Sequence, residues 1–138
     1  MNAILAIGRI LFAYLFVMSG IGHLMKLEAM AGYAKHKKVP VPQFFVPATG
    51  IAIILGGLGV ALGIYADLGA LLIAIFLLPT AFIMHNYWKE TTPEGKMTEM
   101  VAFNKDIALA GAALILFVLI GRHTGIGWHI TAPLFNLK

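Results

Sequence analysis

"FFVPATGIAIILGGLGVALGIYADLGALLIAIFLLPTAFIMHNYW", residues 44–88, decides the fold. Asp67 is its only Asp, Glu, Lys or Arg. A bilayer core needs ~20 apolar residues per helix. Two such runs are present, Phe44 to Tyr65 and Leu68 to Trp88, joined by little more than "YADLG". Crossing helices joined this tightly must be adjacent and antiparallel.

Working outward, Ala3 to Leu24 forms another apolar run, broken only by Arg9 and His23. On the C-terminal side, the uncharged run Ile107 to Gly121 would rise only about 22 Å, short of a ~30 Å core. A span there must begin near Met100 and bring Asn104, Lys105 and Asp106 into or beside the membrane. The expected fold is an all-α integral membrane four-helix bundle. It forms one domain over 1–138, with spans at about 3–24, 44–65, 68–88 and 100–121. Between the first two spans, "LEAMAGYAKHKK" predicts a short interfacial helix with Leu27, Met30, Ala31 and Ala34 roughly on one side. "VPVP", with Pro40 and Pro42, predicts an extended approach to the second span. Gly56, Gly59 and Gly63, and Ala108, Gly111 and Ala112, suit close helix packing. Pro79 predicts a kink that frees the carbonyl near Ile75.

Composition excludes much. Of 138 residues, 60% are hydrophobic and 12% charged, with mean hydropathy +0.89. That is too little charge to cover a soluble domain. The chain has no cysteine, which excludes thiolate nucleophiles, disulfide exchange, iron–sulfur ligation and cysteine zinc sites within it. No phosphate loop, HExxH zinc site or nucleophile triad is present, and no metal is expected. "MNAILAIGRILFAYLF" lacks a basic n-region and a convincing cleavage site, so it reads as a retained first helix. The net charge of +4 sits mostly in loops, where it favours anionic lipid headgroups over nucleic acid. Lys26, Lys35, Lys37, Lys38, Lys89, Lys96 and Lys105 share the face of the 1–2 and 3–4 loops, against Arg9, Arg122 and Lys138 opposite. The positive-inside rule therefore puts those loops in the cytoplasm and both termini outside.

The same topology brings His23, His85, Asn86, Asn104, Lys105 and Asp106 to one membrane depth. Ionisable groups there are costly unless paired or hydrated. A histidine beside an aspartate can relay protons near neutrality, its unperturbed pKa being ~6.5. Lys105 and Asp106 lie about 100° apart on a helix and do not face each other. Asp106 should look across the bundle, to His85 or His23. Tyr87, Trp88 and Lys89 read first as an interfacial belt with a snorkelling lysine. His85 and Asn86 lie one step deeper, where a structural hydrogen bond and a working site are equally open readings. His23 either caps its helix or contributes to the site. Haem ligation by His23 and His85 is geometrically conceivable, but no haem motif accompanies it and haem is not expected. Arg9, Ala13, Phe16, Gly20 and His23 form one stripe, which reads as a packed seam. Arg9 itself reads as snorkelling or structurally paired more than functional.

In order, "RILFAYLFVMSGIGHL", "GYAKHKKVPVP", "ILGGLGVALGIYADLGALLIAIFLL", "HNYW" and "FNKDIALAGAAL" resemble the DoxX family. The resemblance covers nearly the whole chain. It implies a small bacterial or archaeal four-helix protein of the cytoplasmic membrane, associated with membrane redox chemistry. Related subunits belong to a thiosulfate:quinone oxidoreductase, and others are linked to thiol and oxidative-stress systems. Arg9, His85, Asn86, Trp88 and Lys105 match the family pattern. Two departures stand out. Relatives often carry a glutamate just before "LGG", where this chain has "AIILGG" with Ile53 near that place. The fourth helix commonly starts Lys-Asn, against Lys105-Asp106 here. Either the acidic group has moved between helices or the polar cluster is altered.

The leading expectation is a redox-associated subunit, of a quinone-linked oxidoreductase if it is part of an enzyme, that binds a quinone or similar lipid-like molecule near the cytoplasmic face. His85 and Asn86 would hydrogen-bond the headgroup carbonyl, with His23 and Asn104 further ligand-binding candidates. Asp106 and Lys105 would manage the proton, and Trp88 and Tyr87 would wall the pocket. Electrons would come from a protein partner. The alternative is a non-catalytic anchor or scaffold that holds a soluble redox or stress-response enzyme through the lysine-rich loops. A transporter is the weaker third reading, since four short helices would need to form a homo-oligomer to make a path.

Overall fold

Four helices long and apolar enough to cross a membrane build the body of the protein. The computed structural model describes residues 2–122 and 127–137; Lys138 lies outside the described residues. In chain order the elements are α1 (Asn2–Met25), α2 (Leu27–His36), α3 (Pro42–Leu62), α4 (Ala66–Met84), a 3-10 turn (Tyr87–Lys89) and α5 (Pro93–Gly121). All regular elements among the described residues are helical, as the hydropathy pattern requires.

The central pair is α3 and α4, with α1 packed on α3 and α5 on α4. One core unites them. Phe16 of α1, Ile53 and Val60 of α3, Ala70, Ile73, Ala74 and Leu77 of α4, and Ala110 and Ala113 of α5 are buried together. Lipid offers apolar groups no penalty, so close packing and not hydrophobic burial holds such helices together. At Gly20 a Cβ would lie 2.5 Å from the Gly50 carbonyl oxygen and 2.5 Å from Ile54 Cγ1. At Gly69 it would lie 2.6 Å from the Gly56 oxygen. Backbone meets backbone at both crossings. Gly20→Val is accordingly expected to force α1 off α3 at a cost of about 1–3 kcal/mol. Urea unfolding in detergent would read this as a lowered midpoint; an unchanged midpoint would mean the seam is not tightly packed.

Two local expectations differ from the structure. α5 starts at Pro93, a full two turns before Met100. The reason is local capping: Thr92 Oγ1 accepts from the Gly95 amide at 3.1 Å, Pro93 takes the first helical position and Glu94 the first turn. Those signals start a helix wherever they fall, independent of the membrane edge. α5 is therefore about 43 Å long and overhangs the apolar span on the loop side.

The chain also turns between α2 and α3 where an extended approach was expected. Lys38 (φ 64°) and Val41 (φ 42°) are left-handed, and the Val39 amide donates to the Ala34 carbonyl at 2.9 Å. Val39 thereby joins Leu27 and Met30 against Ala31, Ala34 and Val46, with Met84 alongside. Burying that cluster offsets the strain of a β-branched residue at positive φ. The apolar side of α2 is thus covered by α3 and the end of α4, and α2 caps the bundle.

Candidate functional site

α4 ends at Met84, and His85 is its C-cap. On α5, Glu99, Phe103 and Asp106 lie at spacings that place them on one helix face, and that face packs on α4. The His85 ring bridges its two carboxylates. Nδ1 lies 2.8 Å from Glu99 Oε2, and Nε2 lies 3.6 Å from Asp106 Oδ2. Asp106 is buried. Because the carboxylates sit on opposite ring nitrogens, the three groups do not converge on one point. No metal-holding cluster is present among the described residues.

A second layer closes over Glu99 from α2. The Tyr33 hydroxyl donates to Glu99 Oε1 at 2.6 Å. Lys37 Nζ donates to Glu90 Oε1 at 2.7 Å and to Asn86 Oδ1 at 3.2 Å, and lies 3.5 Å from Glu99 Oε1. Its side chain is only 6% exposed, which a lysine tolerates because it faces two carboxylates and an amide oxygen. The Asn86 Nδ2 donates to the Ile83 carbonyl at 3.0 Å. Asn86 is buried with both ends of its amide engaged, so it fixes the end of α4 around His85. Partial burial, then the hydrogen bond to Glu99 and the charges of Glu99 and Glu90, push the Tyr33 phenol well above its ordinary value. Tyr33 therefore stays a hydroxyl donor across the physiological range.

Asp106 looks across the bundle to His85. The long Lys105 side chain still curls back to 3.8 Å from Asp106 Oδ1, although the two Cα–Cβ directions diverge. Asn104 is exposed. His23 occupies a different side of the bundle: its Nδ1 faces the Val46 carbonyl at 3.2 Å and Thr49 Oγ1 at 3.4 Å, with its ring edge-on to Phe76. Arg9 is at the opposite end of α1, buried against α3.

Phe82, Tyr87, Trp88 and Phe103 pack together with centroids 5.2–6.4 Å apart, edge to face except for the tilted Phe82–Trp88 pair. Phe82 and Trp88 remain exposed. The result is an exposed aromatic surface joined through Phe103 to the face of α5 that carries Glu99 and Asp106. Glu99, Glu90, Lys37 and Tyr33 were not singled out by sequence reasoning. The signal that leads to Glu99 is the Thr92-Pro93-Glu94 cap, which places Glu99 on α5 two turns before Asp106.

A family model described as DoxX matches residues 4–86, more than half of the chain. The chain belongs to the DoxX family. It is similar to the inner membrane protein YphA of Escherichia coli (strain K12), with 26% identity over 115 residues, 83% of this chain and 81% of that protein. No solved structure gives a significant match. Together with the four apolar helices, these likenesses make this DoxX protein an integral membrane protein. The DoxX match contains Arg9, His23, His85 and Asn86. Glu99, Lys105 and Asp106, which complete the cluster, lie beyond it.

Proposed function

We propose that this protein is a redox-associated membrane subunit that binds the headgroup of a quinone or similar lipid-like molecule at His85, on the cytoplasmic side of the bacterial or archaeal cytoplasmic membrane. The observation that carries the reading is His85 held between Glu99 and Asp106, with exposed Phe82 and Trp88 packed on Phe103 of the same α5 face. A quinone headgroup needs a hydrogen-bond donor at its carbonyl, a flat apolar wall, and access from lipid. His85 Nε2, which at 3.6 Å makes no hydrogen bond to Asp106, supplies the donor, Phe82 and Trp88 the wall, and the bilayer the route. Asn86 serves as a positioning residue, since its amide is already engaged. Asp106 and Lys105 manage the proton. Reduction of a quinone to a quinol takes two electrons and two protons; a partner protein supplies the electrons, and this chain serves the protons and the binding site.

Decylubiquinone added to the detergent-purified protein should quench Trp88 fluorescence saturably. His85→Ala is expected to weaken that binding at least tenfold while circular dichroism and gel filtration stay unchanged. Equal loss of folding and binding would make His85 a structural residue, and unchanged binding would overturn the reading. The scaffold reading keeps one specific support: Lys35, Lys38, Lys89 and Lys96 are all exposed on the loop face. Lys37 does not contribute to that surface, because it is spent inside the cluster.

A further inference from the structure

We infer that Glu99 is the proton-entry residue of this site, passing protons from loop-side water through His85 to buried Asp106. The path rests on the reading of Asp106 as the group that manages the proton. Three observations carry it.

The first is continuity. Glu99 Oε2 is hydrogen-bonded to His85 Nδ1 at 2.8 Å, and His85 Nε2 faces Asp106 Oδ2 at 3.6 Å, a few tenths of an ångström beyond a hydrogen bond, so one ring stands between both carboxylates. The second is direction. The Asp106 side chain is 6% exposed and the Glu99 side chain 14%, while Glu90, linked to Glu99 through Lys37, is 29% exposed. Among the three carboxylates exposure thus rises away from the core, with the His85 ring, 22% exposed, standing between Glu99 and Asp106. The third is charge. The groups facing the path are Tyr33 and Lys37 from α2 and its cap, Glu90 after the 3-10 turn, His85 from α4, and Glu99, Lys105 and Asp106 from α5. Three carboxylates meet two ammonium groups, so with a neutral imidazole the cluster is one positive charge short. A single added proton makes it neutral, which a low-dielectric site favours.

The step balances without an oxidant or reductant. Protonated Glu99 gives its proton to His85 Nδ1 as the proton on Nε2 passes to the Asp106 carboxylate. Glu99, whose proton came from loop-side water, is left ionised, so the cluster holds only the one added proton. The net change is one proton moved from water to Asp106, with the imidazole left in its other tautomer. Once Asp106 has passed its proton on, a ring flip restores the starting tautomer. Tyr33, hydrogen-bonded to Glu99 Oε1, leaves Oε2 aimed at the ring.

The test is a pH jump on the full chain in phosphatidylcholine nanodiscs, followed by time-resolved infrared absorption of the protonated carboxylic acid band. Asp106→Asn identifies the Asp106 band by removing it. Glu99→Gln, which keeps the acceptors for Tyr33 and Lys37, should slow the appearance of that band at least tenfold. Lys35→Ala, at an exposed lysine outside the path, should leave the rate within twofold. An unchanged rate in Glu99→Gln overturns the path, as does the absence of any band lost in Asp106→Asn. Slowed protonation with no decylubiquinone binding in any variant, parent included, would uphold the path while sinking the quinone reading. Should Glu99→Gln not fold, histidine-selective 15N NMR of the parent protein decides. A His85 Nδ1 shift typical of a free nitrogen contradicts the path, and hydrogen-bonded shifts on both nitrogens support it.

Discussion

Arg9→Ala should destabilise the protein more than any other single side-chain truncation described for it. Arg9 is 4% exposed. Its Nε donates to the Val60 carbonyl at 2.7 Å, Nη2 to the Ala61 carbonyl at 3.2 Å, and Nη1 to the Trp128 carbonyl. Val60 and Ala61 are in the last turn of α3, where carbonyls lack intrahelical partners and the helix dipole is negative. Trp128 begins the segment that folds back over this end. The Ile130 and Thr131 amides donate to Gly63, Thr131 Oγ1 accepts from Tyr65, and the Phe135 amide donates to Asp67. One guanidinium therefore closes a helix and pins the C-terminal segment to it.

Each hydrogen bond from a charged group contributes about 1.5–3 kcal/mol, and the set is not additive. A loss of about 4 kcal/mol is expected, seen as a lower unfolding midpoint in detergent and faster hydrogen exchange at the Ile130 and Thr131 amides. Arg9→Lys should recover only part, because one ammonium nitrogen cannot span carbonyls that are held by three separate guanidinium nitrogens. A loss under 1 kcal/mol would mean that Arg9 merely reaches solvent.

Lys37→Ala comes second. It would leave Glu90 and Glu99 facing each other without their shared cation, and free the Asn86 amide oxygen. Removing one member of a buried ion pair costs roughly 3 kcal/mol, chiefly for the charges left behind. Lys35→Ala, two residues away and exposed, should stay within about 0.5 kcal/mol. Urea unfolding of the two variants side by side measures the contrast. Equal effects would show that Lys37 behaves as an ordinary surface lysine.

That contrast also marks where sequence reading stops. Lipid demands ~20 apolar residues per helix, so four spans are written in hydropathy alone, and the short link at Tyr65 sets α3 against α4. Depth is legible by the same logic, because each helix end is located. Azimuth is not. His23 and His85 share a loop-side position, yet α1 turns His23 toward Val46 and Thr49 on α3 while His85 meets α5. Small residues mark the Arg9–Gly20 seam of α1 on α3, but the apolar run before His85 carries no sign of which neighbour it will meet. Lys37 stands among Lys35 and Lys38 with no mark of its own; only the left-handed turn at Lys38 and Val41 brings α2 over the cluster. Glu99 lies in polar "PEGKMTEM", which reads as loop until the Thr92 cap is given its weight. The C-terminal segment is held mainly by backbone groups, which any residue type supplies, so its docking on Gly63 and Gly121 leaves no trace in composition.

The most direct test of the quinone site is what the protein carries out of its own membrane. The full chain and His85→Ala would be purified in the same mild detergent, extracted, and their lipid-like molecules identified and quantified per chain by mass spectrometry. A quinone near one per chain in the parent, lost in His85→Ala while the variant remains folded, is the predicted result. Bulk phospholipid alone in both preparations would contradict it.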